Sequence, residues 1–326
     1  MPFFTKRNLL MSLVAILLLA GCAPIREPGV LAEQATQPPT EAAAASENSQ
    51  LAVDALKNAT YSGIYDEPVT LTDGRYAGEP FATGDTSRPT VDYVVGAEYY
   101  ADLDGDGARD AVVFLVERAG GTGAFHYVAV QLNRDGQPMD AGAMIIEDRI
   151  QVRAVDIEDG VITLAIIAPG PGDGACCPSH TVTRRYAVQD GMLAEVEASV
   201  GEPVKVSAAD LDGTAWVLVE LPDGQPALPD APVTLAFAGD QLSGAGGCNT
   251  FTGSFSLGAD NPFALTVGPL ATTAMACDDP IQGQESAYLT ALQAAGQWSY
   301  WYGKLAIYFL DDTGAYNRLL FAPAAE

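Results

Sequence analysis

Gly246-Gly247-Cys248-Asn249-Thr250-Phe251 and Thr272-Thr273-Ala274-Met275-Ala276-Cys277-Asp278 bound the stretch on which the fold turns. Between the two cysteines lie short apolar segments, Thr250 to Leu257 and Ala264 to Val267, parted by Gly258-Ala259-Asp260-Asn261-Pro262. That pentapeptide is hairpin punctuation, because its residues favour the backbone angles that strands avoid. The pattern predicts two strands clasped at their ends by a Cys248–Cys277 bridge. Closing a loop of about 30 residues removes roughly 3–4 kcal/mol of unfolded-chain entropy in the chain-entropy description.

Downstream, Glu285, Tyr288, Leu289 and Leu292 recur at three- and four-residue spacings. This predicts a helix over residues 282–294, with Tyr288, Leu289 and Leu292 on one face and Gly296 as its stop. Glu285 reads equally well as a carboxylate on the helix surface. Lys304–Leu310 and Asn317–Phe321 read as a closing hairpin. Trp298, Tyr300, Trp301 and Tyr302 gather beside its turn, as core and cross-strand pairs or as the lining of a cleft for lipid or a planar drug.

Set in order, Leu211-Asp212-Gly213-Thr214-Ala215-Trp216-Val217-Leu218, Val233-Thr234-Leu235-Ala236-Phe237, Gly246-Gly247-Cys248-Asn249 and Gly268-Pro269-Leu270-Ala271-Thr272-Thr273-Ala274-Met275-Ala276-Cys277, with Glu285 following, resemble the META domain, the HslJ-like family. The resemblance runs from Asp210 to the C-terminus. It implies a mainly antiparallel β domain of bacterial envelope lipoproteins connected with heat stress and novobiocin tolerance, with no established catalytic activity.

At the other end, Lys6-Arg7 precedes an apolar run from Leu9 to Ala20 and then Gly21-Cys22. Twelve helical residues rise about 18 Å, short of the roughly 30 Å of a membrane core, so the run is a secretion signal and not a span. Leu19-Ala20-Gly21-Cys22 resembles a bacterial lipobox, which implies loss of residues 1–21 and acylation of Cys22. Acyl chains, palmitate among them, bind a bilayer at about 0.8 kcal/mol per buried methylene, and several together anchor a protein stably. Ala23 in place of Asp implies the outer membrane in a Gram-negative host. In a single-membrane host the protein would face outward from the cytoplasmic membrane.

Once Cys22 is set aside, Cys176, Cys177, Cys248 and Cys277 remain, an even number that suits disulfides in an exported chain. Besides Cys248–Cys277, a vicinal Cys176–Cys177 pair and a link from Cys176 or Cys177 to Cys248 stay open. The chain has 326 residues, enough for two cores, and carries 42 acidic against 16 basic residues, a net charge of −26. Such a surface disfavours nucleic acid and anionic headgroups and attracts divalent cations.

Residues 22–50 are rich in Ala, Glu, Gln, Thr and Pro without apolar periodicity, which predicts a disordered tether. Leu51, Val53, Ala55 and Leu56 predict a helix of two or three turns. Over residues 51–202, apolar runs at Ala111–Val116, Tyr127–Leu132, Val161–Ala168 and Thr181–Val188 alternate with Gly-Gly and Asp-Gly turns, the pattern of an antiparallel sheet. This region is similar to a domain of LppP/LprE-type lipoproteins. The fold class expected is therefore mainly β (α+β): a tether, a first antiparallel β domain at 51–202 and a META-like one at 203–326, with few short helices.

The chemistry in sight is sparse. Asp102, Asp104, Asp106 and Asp110, with the carbonyl of Ala108, match loop positions 1, 3, 5, 9 and 7 of a calcium turn, and Gly107 stands at 6. Val113 replaces the bidentate Glu, so any Ca²⁺ bound here would be structural and the loop is no EF-hand. Cys176-Cys177-Pro178-Ser179-His180 could begin a zinc site, but His126 is the sole other histidine. Gly244-Ala245-Gly246-Gly247 lacks the Lys-Ser/Thr ending of a phosphate loop. The expectation is a non-enzymatic, lipid-anchored envelope protein that binds an envelope protein or an amphipathic ligand in stress or drug tolerance. Two alternatives stand beside it: a secreted hydrolase using the Asp loop or the Cys176/Cys177 thiols, and a calcium-stiffened adhesion module.

Overall fold

Asp-Gly pairs set the corners. Asp73-Gly74, Asp135-Gly136, Asp159-Gly160 and Asp190-Gly191 all place both residues at positive φ, from 49° to 54° for Asp and 74° to 84° for Gly. That is the backbone of a type I′ turn, whose twist matches that of the strands it joins. The computed structural model describes residues 50–84, 86–174, 177–197 and 200–325. The expected signal peptide, Cys22, the tether as far as Ser49, and Cys176 lie outside those residues.

The chain enters through α1 (Val53–Leu56), a single turn and not the two or three expected, followed by β1 (Thr60–Tyr61) and β2 (Val69–Thr70). A first sheet holds β3 (Arg75–Ala77), β4 (Thr90–Tyr93), β5 (Tyr99–Ala101), β6 (Asp110–Arg118), β7 (Phe125–Arg134) and β8 (Gln137–Asp148). A second holds β9 (Gln151–Glu158), β10 (Val161–Ala168), β11 (His180–Gln189), β12 (Met192–Glu197) and the short β13 (Val204–Lys205), with β9 at one edge. All pairings are antiparallel, as the turn signals predict. The four expected apolar runs lie within β6, β7, β10 and β11.

β6 is buried from Asp110 to Glu117, because both faces of its sheet are covered. Val112 and Phe114 pack toward the second sheet with Ile162, Leu164 and Tyr186. Ala111, Val113 and Leu115 pack on the other side under Leu51, Leu56 and Tyr61. One turn of helix suffices to seat Leu51 and Leu56 there.

The C-terminal half is a nine-stranded sheet of β14 (Ala215–Glu220), β15 (Thr234–Ala238), β16 (Gln241–Ala245), β17 (Thr250–Leu257), β18 (Leu265–Val267), β19 (Ala271–Thr272), β20 (Ala295–Trp301), β21 (Lys304–Leu310) and β22 (Tyr316–Pro323). Its end strands approach each other, since Ala264 bridges Gln297 and the Trp298 N–H donates to the Phe263 carbonyl at 2.9 Å. The apolar interior is sealed by α2 (Asp279–Gln293) through Tyr288, Ala291 and Leu292. The helix begins three residues before the position expected from its apolar spacing. Pro280, which sits in the first turn, lacks an N–H that no helix bond needs there, so it opens the helix and does not break it. Gly296 does not stop the helix; it already belongs to β20.

All described residues fall within one compact unit. The edges of β9 and β20 meet where the Gly303 N–H donates to the Val152 carbonyl at 3.0 Å and the Tyr300 N–H to Gln151 Oε1 at 2.9 Å. The two halves also exchange anchors: Ile167 of β10 is buried in the C-terminal core, and Tyr302 is buried in the core of the first half.

Candidate functional site

Four groups of polar or aromatic side chains are candidates, and three of them are occupied with holding the chain together. The first is the knot under the disulfide. Glu285, expected as readily on the helix surface, is buried at 7% exposure. Its Oε2 accepts the Asn249 N–H at 2.5 Å and the Cys248 N–H at 3.3 Å, and its Oε1 accepts Asn249 Nδ2 at 2.8 Å. Asn249 Oδ1 in turn accepts Thr273 Oγ1 at 2.8 Å and the Met275 N–H at 2.7 Å. Cys248 and Cys277 are bonded with their Cα atoms 6.1 Å apart, which locks both loops over the helix. A Cβ on Gly246 would stand 2.7 Å from Glu285, so the loop can close on the carboxylate only through glycine. The motif is a fastener.

The second is the Asp loop. Oxygens of Asp102, Asp104 and Asp106 lie within 4.8 Å of one another. Two backbone N–H groups, of Gly105 and Gly107, donate to Asp102 at 2.8 and 3.0 Å, while Arg134 from the end of β7 pairs with both Asp104 and Asp106. Asp110 stands apart from this group. Fully buried at the start of β6, it accepts the N–H groups of Leu103 at 2.9 Å and Asn133 at 2.8 Å. Burial pushes its carboxyl above the usual range, against those two hydrogen bonds and with the help of the nearby Asp104 and Asp106 charges. Ala108 offers its N–H to Asp106 at 2.8 Å.

The third lies in sequence beside Cys177. Cys177 is disulfide-bonded, which removes it as a free nucleophile. His180 directs Nδ1 at Asp173 Oδ2, 3.1 Å away, and Ser179 Oγ donates to Asp173 Oδ1 at 2.8 Å. Ser179 Oγ also lies 3.4 Å from His180 Nδ1, but that is the nitrogen that faces Asp173, so the ring does not stand as a relay between serine and carboxylate. Burial opposes its charge, yet hydrogen bonds from the Gly170 N–H, Ser179 and His180 outweigh that and hold it far below the usual carboxylate range. This cluster ties Gly170 and Asp173 to Ser179 and His180.

The fourth is a cleft of about 780 Å³ at the seam of the two halves, well within the size range of small-molecule sites. Strand alternation builds one wall. β20 turns Trp298 and Tyr300 into the core and leaves Gln297, Ser299 and Trp301 on the outer face. Register then sets Tyr308 of β21 beside Gln297, and Arg318 of β22 beside Tyr308. Tyr308 and Tyr316 stack with ring centres 5.4 Å apart and planes inclined by 15°, and Tyr316 remains 60% exposed. Arg318 lies 4.8 Å over the Trp301 ring and pairs with Glu220 at 3.2 Å.

The first half supplies the facing wall: the Asp92–Arg118 pair at 2.8 Å, Val95, Gln151 and His126. Tyr302 joins the walls. It occupies the left-handed position of a turn with Gly303, φ 47° and 77°, where the Asp-Gly hairpins of the first half place Asp. From there its ring packs 4.8 Å from Phe114, its hydroxyl lies 2.7 Å from His126 Nδ1, and its carbonyl accepts the Tyr99 hydroxyl at 2.7 Å. Burial, then repulsion from Arg118, pushes His126 down to about 4 despite the attraction of Asp148, so the imidazole is neutral at pH 7.

The aromatic group seen in the sequence is thus divided: Trp298 and Tyr300 are core, Tyr302 is the joint, and Trp301 alone of the four stays on the outer face. Tyr308, Tyr316, Gln297, Asp92 and Arg118 were not singled out from sequence. For the C-terminal members the available signal was period-two alternation along β20 and β21. Asp92 and Arg118 reach the cleft only through the docking of the halves.

Residues 209–326 match the family model of the META domain. No curated protein matches the chain significantly. Among solved structures, the NMR structure of a protein from Burkholderia xenovorans is 30% identical, over 36% of this chain and 85% of that one, with a TM-score of 0.28. The C-terminal part of the chain is therefore a META domain, compatible with an HslJ-like envelope protein.

Proposed function

Taking residues 209–326 as a META domain, we propose that the protein is a lipid-anchored envelope component, held by acylated Cys22, that acts by binding an amphipathic ligand at the seam cleft in stress or novobiocin-type drug tolerance. The observation that carries this reading is the outward row of Trp301, Tyr308 and Tyr316, set opposite a polar wall from the other half. The remaining polar clusters support it from the other side. Glu285, Asp173 and His180 spend their hydrogen bonds on the fold, and Cys177, Cys248 and Cys277 are bonded.

Cell fractionation after labelling with a palmitate analogue tests the anchor: label on the wild type and none on Cys22→Ser is expected. Label on both, or a cytosolic wild type, would remove the envelope assignment. For the binding role, a strain lacking the protein should be restored to drug tolerance by the wild type and not by Tyr316→Ala. Turnover of generic ester, peptide or phosphate substrates by the purified protein would argue for the hydrolase instead.

A second reading concerns the Asp102–Asp106 loop. Its clustered oxygens favour Ca²⁺ in a structural role. Arg134 already supplies positive charge there, so an ion would have to displace the guanidinium.

A further inference from the structure

The chemistry of the seam cleft narrows its ligand. Its aromatic wall holds the stacked rings of Tyr308 and Tyr316, the outer one fixed by the Tyr316 hydroxyl, which donates to Gln297 Oε1 at 2.9 Å, with Trp301 on the same face beneath Arg318. Rings fixed in this way offer a broad apolar face without ordering cost when a flat, C–H-lined partner settles on it.

The polar groups around the platform are planar and double-ended. Gln151 uses its Oε1 on the Tyr300 N–H and Gln297 its Oε1 on Tyr316, which leaves the amide NH₂ of each without a partner among the described residues. Each of these amides carries two donors. Asp92 is shared by two guanidiniums, its Oδ2 with Arg118 at 2.8 Å and its Oδ1 with Arg75 at 3.4 Å, so both its oxygens are engaged while Arg118 keeps further N–H donors for the cleft. The chain as a whole carries −26, which works against any anionic ligand.

A flat apolar face, amide and guanidinium donors at its rim and a chain whose overall charge disfavours anions together describe a partner that is apolar on its faces, hydroxylated on its edges and uncharged. We propose that the seam cleft binds a neutral saccharide, one ring resting on Tyr316 and its neighbours, with hydroxyls meeting Gln151, Gln297 and the Asp92–Arg118 pair. This rests on the reading of the cleft as the functional site. A planar aromatic compound would use the platform equally but leave the amides and the ion pair unmatched, and buried polar groups left without partners weaken binding.

The test is direct titration of the full chain in detergent with neutral tetrasaccharides of glucose, of galactose and of N-acetylglucosamine, followed by calorimetry and tryptophan fluorescence. Nile red serves as the uncharged planar probe. At least one saccharide is expected to bind. Tyr316→Ala should weaken that binding by about tenfold, equivalent to roughly 1.4 kcal/mol. Tyr316→Phe should keep most of the affinity, and Gln151→Ala should lose affinity for the saccharide but not for Nile red. Tyr316→Ala and Tyr316→Phe should melt like the wild type, because Tyr316 is 60% exposed, whereas Gln151→Ala strands the Tyr300 N–H and should melt lower, its retained Nile red binding showing that the cleft persists.

Binding of Nile red alone, lost in Tyr316→Ala, would overturn the saccharide while keeping the cleft as a binding site. Failure of both kinds of probe would overturn the cleft reading with it. Saccharide binding unchanged in Tyr316→Ala and Gln151→Ala would place the ligand elsewhere and likewise defeat the proposal.

Discussion

Two carboxylate clusters, one in each half, look alike on paper and behave as opposites. At the Glu285 knot a single carboxylate is buried and meets three N–H donors from one strand entrance, so its charge is matched by the fold itself. At the Asp102–Asp106 loop three carboxylates lie mostly in water and depend on one long side chain, Arg134, for their balance. Burial decides the difference. A buried polar group must be satisfied where it stands, and its removal leaves donors stranded, whereas an exposed cluster is screened and exchangeable. The first cluster is thus expected to govern folding and the second to respond to solution conditions.

Glu285→Ala should break the knot. Leaving the Asn249 and Cys248 donors unpaired in the interior is expected to cost about 3–5 kcal/mol in a urea titration. Asp104→Ala with Asp106→Ala should shift the same titration by less than about 1 kcal/mol. Similar losses for the two would erase the contrast.

Tyr302→Ala comes next. It empties a site beside Phe114 at the seam, and aromatic truncations in cores cost about 3–5 kcal/mol. Alanine keeps the Cβ that is strained at φ 47°, so no part of that cost returns and the full loss is expected. Calorimetry should then show the single transition of the wild type separating into two, one for each half. One unsplit transition would mean that other seam contacts suffice.

Acid separates two smaller effects. His126 is held at about 4 when folded and titrates near 6.5 when unfolded, so its contribution is complete above about pH 6.5 and declines as pH falls toward 4. Asp173 is held below its unfolded value near 3.9, so its contribution persists through that window and is lost only at lower pH. Stability measured against pH should therefore fall in two steps, and His126→Gln should remove the upper one alone. The smallest effect is that of calcium: at millimolar concentration, wild-type melting should rise by no more than about 2 °C, and Arg134→Met, with the guanidinium gone, should rise further. Equal shifts in the two proteins would show that Arg134 does not guard the loop.

Much of this architecture was legible in the chain. Val161–Ala168 could be read as a strand to the residue, because β-branched runs between Asp-Gly corners have few other solutions. The Cys248–Cys277 bond followed from turn punctuation and an even cysteine count. Glu285 was not legible as a buried anchor, since a carboxylate on an amphipathic helix is exposed by default and only the closing of two distant loops reverses that. Asp110 escaped the reading for a related reason: loop spacing alone does not reveal that its carboxylate turns inward at the start of β6 to accept the Leu103 and Asn133 N–H groups. Half of the cleft lies on strands more than a hundred residues away in sequence, and no local periodicity reports which sheet edges will meet.

The claim on which the functional reading depends is that the outer aromatic face of β20 to β22 is covered by a ligand where the protein works. Hydroxyl-radical footprinting of Trp301, Tyr308 and Tyr316, performed on the protein in intact envelopes and again after purification, measures this directly. Marked protection of Tyr308 and Tyr316 in the envelope, with equal labelling of the exposed Phe81 and Met192 in both states, is the expected result. Equal labelling of the three cleft residues in both states would contradict it.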